Sequence, residues 1–346
     1  MGSWYCTLEA VKRAVDIAAA DKNRVISEAI EAASREIDNL TERRFIPKTE
    51  TLYFDWPQRD ARNPYTLYLD DDVLSVSALT RDGDDAVAIV AADYFLEPSW
   101  GPPYNSIQID LASSAYFANK NTHQRAIRVT VSRGYSNATK TAGALAEALD
   151  SSETGVDVTD ASLADVGDTL LCESEQMFVT DRAVLDTTAN LNDTLTADMS
   201  DVTVTVTDGT KVKVNEVILI ESERMLVTDV TGNNLTVKRA WDGTVLAAHS
   251  GALDVYAYRT LTVERGANGT TAAAHDTATS LSRYAPPADI VKLCKALAIN
   301  DIKTTEGGWT GTFGSGEGLI EVKGTALARL KRDIQADYRR YLVGAV

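Results

Sequence analysis

The chain has 346 residues, 34 Lys plus Arg against 50 Asp plus Glu, a formal net charge of -16 and 44% hydrophobic residues. That length and apolar content predict two or three domains with buried cores, while the acidity argues against a protein that wraps nucleic acid, whose phosphates would repel it. No stretch reaches the ~20 consecutive apolar residues of a membrane helix and no basic-then-apolar leader opens the chain, so a soluble protein without a leader is expected.

Helices come first. Thr7 is placed to cap a helix over residues 8–20, in which Leu8, Val11, Val15 and Ala18 share one stripe. A second helix is predicted from Asp21, with Ile26, Ile30, Ala33, Ile37 and Leu40 recurring at steps of four and three until Arg43-Arg44-Phe45-Ile46-Pro47 ends the pattern. After Pro47 the period changes to alternation, and short strands are predicted at 51–54, 67–69, 74–79, 107–111 and 127–131. Arg81-Asp82-Gly83-Asp84 reads as a hairpin turn, and residues 98–103 as an irregular loop whose prolines forbid ladder bonds. The aromatic residues Tyr53, Phe54, Trp56, Tyr65, Tyr68, Tyr94, Phe95, Trp100 and Tyr104 fall in this region. They fit the core and interface of a small β-domain, with a sugar- or base-stacking face as the functional alternative.

Residues 142–285 differ in kind. They hold 23 acidic and nine basic side chains and no proline, so this segment carries -14 of the net charge and leaves -2 to the rest. The segment also repeats itself. Glu173-Ser174-Glu175-Gln176-Met177-Phe178-Val179-Thr180-Asp181 returns as Glu221-Ser222-Glu223-Arg224-Met225-Leu226-Val227-Thr228-Asp229, seven of nine identical, and residues 235–249 match 261–275 at nine of 15 positions. Both echoes are strand-rich with tight-turn signals at Gly232-Asn233 and Asn268-Gly269, which predicts an all-β module of hairpins, a barrel or a sandwich. Duplication of one hairpin points to a structural module, since catalysis needs unlike groups to converge.

The C-terminal flank returns to helices. Pro286-Pro287 precedes a helix over 288–303 with Ile290, Leu293, Cys294, Leu297 and Ala298 on one face, and a glycine-rich break spans 307–318. A last helix over 325–342 carries the stripe Leu327, Leu330, Ile334, Tyr338 and Tyr341 beside Arg329, Lys331, Arg332, Arg339 and Arg340.

No residues select a chemistry. The run 310–318 lacks GK[ST], follows a helix and carries Glu317 where phosphate would sit, so it reads as an interhelical loop. His249 and His275 occupy equivalent repeat positions and read as turn residues fixed by duplication; His123 stands alone in a polar loop. Asp70-Asp71-Asp72 and the pairs Glu173 with Glu175 and Glu221 with Glu223 lack calcium-loop spacing and read as solvated turns and strand faces. Cys6, Cys172 and Cys294, far apart and without CxxC, read as three reduced small side chains. No catalytic residue, cofactor or metal is expected.

The flanks resemble a known family. Tyr5-Cys6-Thr7-Leu8-Glu9-Ala10-Val11-Lys12, the helix from Ile26 to Asp38, Arg43-Arg44-Phe45-Ile46-Pro47, the helix from Pro287 to Ala298 and the closing Asp337-Tyr338-Arg339-Arg340-Tyr341 are together similar to head-tail connector (adaptor) proteins of long-tailed bacteriophages. The resemblance implies a non-enzymatic virion subunit, made in the host cytoplasm and assembled at the capsid-tail junction. It implies a homo-oligomeric, dodecameric ring between the portal protein and the next neck or tail protein, with DNA passing through and not specifically bound, and no membrane. It also implies that the last helix engages the portal through Leu327, Leu330, Ile334, Tyr338, Arg339, Arg340 and Tyr341. Closure of the protein's own bundle is the other reading of Leu327, Leu330 and Ile334. The expected fold is α+β: a helical bundle of N- and C-terminal helices with a small β region over 1–141 and 286–346, and an inserted acidic all-β domain over 142–285. A carbohydrate- or cell-surface-binding module carried by the β repeats is the alternative function.

Overall fold

In the computed structural model of the chain, residues 3–15, 20–58, 63–306, 312–313, 320–321 and 324–340 are described. The chain opens with α1 (Leu8–Val15) and α2 (Asn23–Thr41). Thr7 caps α1, its Oγ1 accepting from the Ala10 amide at 3.2 Å, while residues 16–19 of the expected first helix lie outside the described residues. Ile26, Ile30, Ala33 and Ile37 of α2 are buried, as their spacing predicts. The helix stops at Glu42, whose left-handed backbone turns its amide onto the Asp38 carbonyl at 2.8 Å.

A six-stranded antiparallel sheet follows: β1 (Lys48–Phe54), β2 (Thr66–Arg81), β3 (Val87–Ala88), β4 (Tyr94–Glu97), β5 (Tyr104–Ile109) and β6 (Ile127–Arg133). Its order is β1-β6-β2-β5-β4, with β3 on β2. The two short strands expected at 67–69 and 74–79 are one long β2, whose first half pairs with β5 and whose second half pairs with β6. Register shifts near Val73 and Ser75 bend it between the two partners. Leu67, Ile107, Ile127, Val129 and Val131 fill the core of this sheet.

A second antiparallel sheet has ten strands. It contains β7 (Thr139–Ala144), β8 (Gly155–Asp157), β9 (Thr169–Cys172), β10 (Glu175–Asn190), β12 (Thr203–Thr205), β13 (Val217–Ile220), β14 (Glu223–Thr231), β15 (Asn234–Trp241), β17 (Asp254–Glu264) and β18 (Ser280–Tyr284). Two short pieces, β11 (Thr194–Leu195) and β16 (His249–Ser250), pair with each other. The sheet order β12-β15-β14-β13-β17-β10-β9-β18-β7 is an open path, with β8 on β17. The chain then forms α3 (Ala288–Glu306), the pair β19 (Thr312–Phe313) and β20 (Ile320–Glu321), and α4 (Gly324–Tyr338). The remainder of the glycine-rich run 307–318 lies outside the described residues, as does Tyr341.

The expected helical bundle with a small β region is therefore incorrect. Strand exceeds helix, 39% against 24%, and the chain is mostly β with four helices among the described residues. The reason is packing. A helix as short as α1 buries too little surface to close a bundle, and the helices pack instead against the second sheet. One apolar core joins Val11, Ile26, Ile30, Ile37, Leu293 and Ile334 from the four helices to Leu170, Met177, Val179, Leu261 and Leu281 from that sheet. A separate core, with Val204, Ile218, Met225, Leu235 and Val255, fills its far end.

The two ends are two copies of one unit. The outer copy pairs Val156 with Leu261, and the inner copy pairs Val204 with Leu235. Hairpin contacts Cys172 to Glu175 and Ile220 to Glu223 correspond, as do the bulges after Val179 and Val227 and the bridges of Leu149 with His275 and Leu195 with His249. The inner copy, from Leu191 to His249, lies within the excursion between β10 and β17 of the outer copy. One repeat is thus inserted into a hairpin of the other.

Where the first sheet meets the outer copy, Gly269 sits with φ +80° and its Cα faces the Thr49 carbonyl so closely that a Cβ would lie 2.1 Å from that oxygen. Gly269→Ala is expected to destabilise the chain by about 2–4 kcal/mol through backbone strain and lost docking of β1. Gly155→Ala, whose Cβ would meet Thr260 Cγ2 at an ordinary 3.5 Å, is expected to stay within about 1 kcal/mol of the parent. Denaturant unfolding of the two variants checks the contrast.

Candidate functional site

The strongest side-chain constellation lies at the same place in both repeats. A two-residue turn, left-handed at Glu173 in the outer copy and at Glu221 in the inner one, sets two glutamates on one face of the hairpin. The second glutamate of each pair is buried and clasped. Glu175 receives Arg265 Nε and Nη2 at 2.7 and 2.8 Å and the amides of Gly266 and Ala273 at 3.0 Å each. Glu223 receives Arg239 Nε and Nη2 at 2.8 Å each and the amides of Ala240 and Ala247 at 2.9 and 3.2 Å. A histidine completes each clasp: His275 lies 2.9 Å from both Glu173 and Glu175, and His249 lies 2.8 and 2.9 Å from Glu221 and Glu223. Each arginine also donates to loop carbonyls, Asp150 and Glu153 in one copy, Thr196 and Asp201 in the other.

This chemistry is structural. All acceptor positions of the buried carboxylates are occupied by donors, leaving none for a substrate or metal. Burial pushes Glu175 and Glu223 up, but the arginine, the amides and the histidine outweigh it and hold both at about 2. Among the described residues, no three His, Cys, Asp or Glu side chains are grouped to hold a metal.

The N-terminal segment reads both copies at equivalent points. Ser3 exchanges hydrogen bonds with Asn268 of the outer copy, and Lys12 forms a buried ion pair with Asp242, which stands at the same place in the inner copy. Trp4 packs on Gly167, and Arg13 Nη2 donates to the carbonyl of Asn215, the equivalent residue, at 3.3 Å. Between these anchors, the Leu8 amide donates to the Val166 carbonyl at 3.0 Å and Glu9 pairs with Arg182 at 3.1 Å. Residues 3–15 form a strap that fixes the two copies relative to each other.

The residues singled out from sequence occupy definite places. In α4, Ile334 is buried, Leu327 and Leu330 pack against the shared core, and Tyr338 stacks edge-on to Phe45 and Tyr135 with its hydroxyl donating to Asp289 at 3.1 Å. Arg339 meets Glu42 at 3.4 Å and Arg340 meets Asp71 at 3.0 Å, so both guanidinium groups have partners within the chain. Asp71 and Asp72, read as a solvated turn, are ion-paired with Arg133 and Arg43. The histidines read as plain turn residues are buried clasp members. Of the aromatic residues, Phe54 and Trp56 are in the core, while Trp100 (87% exposed), Phe95, Tyr53, Tyr65 and Tyr68 face outward from the first sheet. Cys6 and Cys294, distant in sequence, lie with their sulfurs 3.3 Å apart.

Sequence reading missed Arg239, Arg265, Glu9 and Lys12. For the arginines a signal exists: they are identical in both copies and stand beside the repeated turn. For Glu9 and Lys12 there is none, because a charged residue near a helix start reads as solvated until its partner is known. Comparison with the known protein families, the curated proteins and the solved structures finds no match to this chain.

Glu175→Gln is expected to destabilise by about 3–5 kcal/mol, since Arg265 stays buried without its counter-charge. Because Glu175 closes the core shared with the helices and Glu223 closes only the inner copy, hydrogen exchange should speed up across α2 and α3 in E175Q and around β13 to β15 in E223Q. The pH dependence has two signs. The glutamates, depressed to about 2, contribute stability that is complete above about pH 5 and lost as pH falls towards 2. Burial raises Asp168 to about 6 against the pull of Arg283, so ionising it on the native protein is costly and stability rises slightly as pH falls from 7 to 5. Burial also raises Glu9, Asp38 and Asp72, so melting temperature against pH should pass through a maximum near 5, and in Asp168→Asn the rise between 7 and 5 should be smaller.

Proposed function

We propose that the chain is a structural, non-enzymatic virion protein: a head-tail connector subunit that forms a ring between the portal and the rest of the neck or tail, with a channel for the genome. The observation that supports this reading is the way the chain's ends are tied. Both terminal regions converge on one helical layer, α1 and α2 with α3 and α4, anchored on a sheet whose buried charges are consumed in holding its own turns. Such a molecule offers rigid surfaces for assembly in place of a reaction centre. In this reading residues 142–285 are an accessory acidic module, and acidic walls suit passing DNA because they do not retain it.

Docking to the portal through α4 then falls to its outward face. Leu327, Leu330, Ile334 and Tyr338 are occupied inside the protein, whereas Arg329 and Arg332 are exposed. The surface of the repeats offers little for sugar stacking: Trp241 is buried, and the large apolar side chains exposed there are Val184, Met199, Val214 and Val245.

Negative-stain microscopy and mass photometry of the protein with and without its portal test the proposal. Rings, alone or on the portal, are the expected outcome; a monomer that ignores the portal at every salt concentration overturns it, and specific retention on a glycan array would favour the carbohydrate-binding reading. Arg329→Glu with Arg332→Glu, both on the surface and harmless to the fold, is expected to weaken portal binding at least ~10-fold at low salt. Unchanged binding would remove α4 from the interface.

A further inference from the structure

We infer that Cys6 and Cys294 are a redox modification site: a thiol pair that closes to a disulfide under mild peroxide and covalently locks the N-terminal strap to α3. The sulfurs lie 3.3 Å apart, both cysteines are buried, and the third cysteine, Cys172, is on β9. A disulfide needs about 2 Å between sulfurs, a closure of little more than 1 Å that side-chain rotation can supply. The pair sits at a consequential place. Cys6 lies in the middle of the strap that joins the two repeat copies, between the Trp4 contact with Gly167 and the Glu9 pair with Arg182, and Cys294 is in the core face of α3.

The two thiols are hydrogen-bonded to each other. Cys294 accepts from the Cys6 thiol, and Ser34 Oγ lies 3.5 Å from it. The Cys6 hydrogen bond, then Ser34 and the amides of Tyr5 and Cys6, lower Cys294 below the usual thiol value, although burial opposes them. The same hydrogen bond, with burial, raises Cys6. A small oxidant reaches the pair from the Cys6 side, where a cavity of about 250 Å³ between the strap and the outer copy is lined by Trp4, Tyr5, Cys6 and Thr7.

The chemistry balances with hydrogen peroxide as the oxidant. The thiolate of one cysteine attacks one peroxide oxygen, an S–O bond forms, the O–O bond breaks, and hydroxide leaves to be protonated as water. The other cysteine, giving up its proton, attacks that sulfur; the S–S bond forms, the S–O bond breaks and a second hydroxide leaves with that proton as water. Two thiols are oxidised by two electrons and one peroxide is reduced to two waters. Thiols stay reduced in a cytoplasm and oxidise outside it, so a particle protein would carry the strap unlocked during assembly and locked after release. That last step rests on the connector reading; the thiol chemistry does not.

The test uses the full-length protein, treated with hydrogen peroxide and mapped by non-reducing peptide mass spectrometry. Expected are a peptide joining Cys6 to Cys294, about 2 Da lighter than the sum of its reduced parts, Cys172 left free, and a melting temperature raised by ~5 °C that dithiothreitol reverses. Cys172→Ser should behave like the parent, and Cys6→Ser should lose both the cross-link and the thermal shift. Free thiols at both positions after treatment, or sulfinic and sulfonic acids on unlinked Cys6 and Cys294, would overturn the inference. Because the bond is read on isolated protein, its absence leaves the ring assay unaffected, and a failed ring assay leaves the bond intact.

Discussion

Burying a carboxylate obliges a protein to surround it, and in this chain two buried glutamates organise most of what lies around them. An ionised side chain removed from water costs several kcal/mol unless donors replace its hydration. Glu175 obtains five, two from Arg265, one from His275 and two from backbone amides, and those partners come from the far end of the same repeat. Satisfying the charge therefore closes the loop from residue 265 to residue 275 over the hairpin at residue 175. Glu223 does the same within the inner copy. A clasp of this sort specifies one register, because a one-residue slip of either strand would leave the arginine and the glutamate buried apart.

From the clasps the rest of the architecture can be followed outward. The turn that each clasp holds presents a polar residue on its crest, Asn268 in one copy and Asp242 in the other, and the strap addresses both. The partner changes with the turn: the neutral amide meets Ser3, and the carboxylate meets Lys12. Charge matching of that kind keeps the strap in one position, since exchanging the two contacts would bury Lys12 without a counter-charge. Once the strap is placed, α1 has a fixed seat, and α2, α3 and α4 complete the core above the outer copy. The first sheet is attached through Gly269 at the same turn, where its β1 carbonyl approaches too closely for any side chain.

Much of this was legible locally. The stripes of α2 and α3, the Thr7 cap and the strands after Pro47 follow from periodicity and capping alone. The duplication was legible too, including more than the identities suggest: the first-half motifs occur in the order outer then inner and the second-half motifs in the order inner then outer. That arrangement is the mark of one unit inserted within another. What misled was counting helices as the body of the protein. Their stripes show that they bury a face, and say nothing of whether the opposing surface is helix or sheet; β2 and β10, each 16 residues long, supply far more strand than short alternating runs imply.

The basic C-terminal helix shows the same limit. Tyr338, Arg339 and Arg340 looked available because nothing near them in sequence pairs with them, yet Phe45, Glu42 and Asp71 do so from 269 to 297 residues away. The sequence by itself determined the elements, the repeated motif, and the concentration of negative charge in residues 142–285, because periodicity, identity and composition are properties of neighbours along the chain. Only the tertiary structure decided which glutamate meets which arginine, that two distant cysteines touch, and that the helices rest on a sheet. Those are contacts between segments far apart in the chain, chosen by the cost of leaving a charge or an apolar face without its complement.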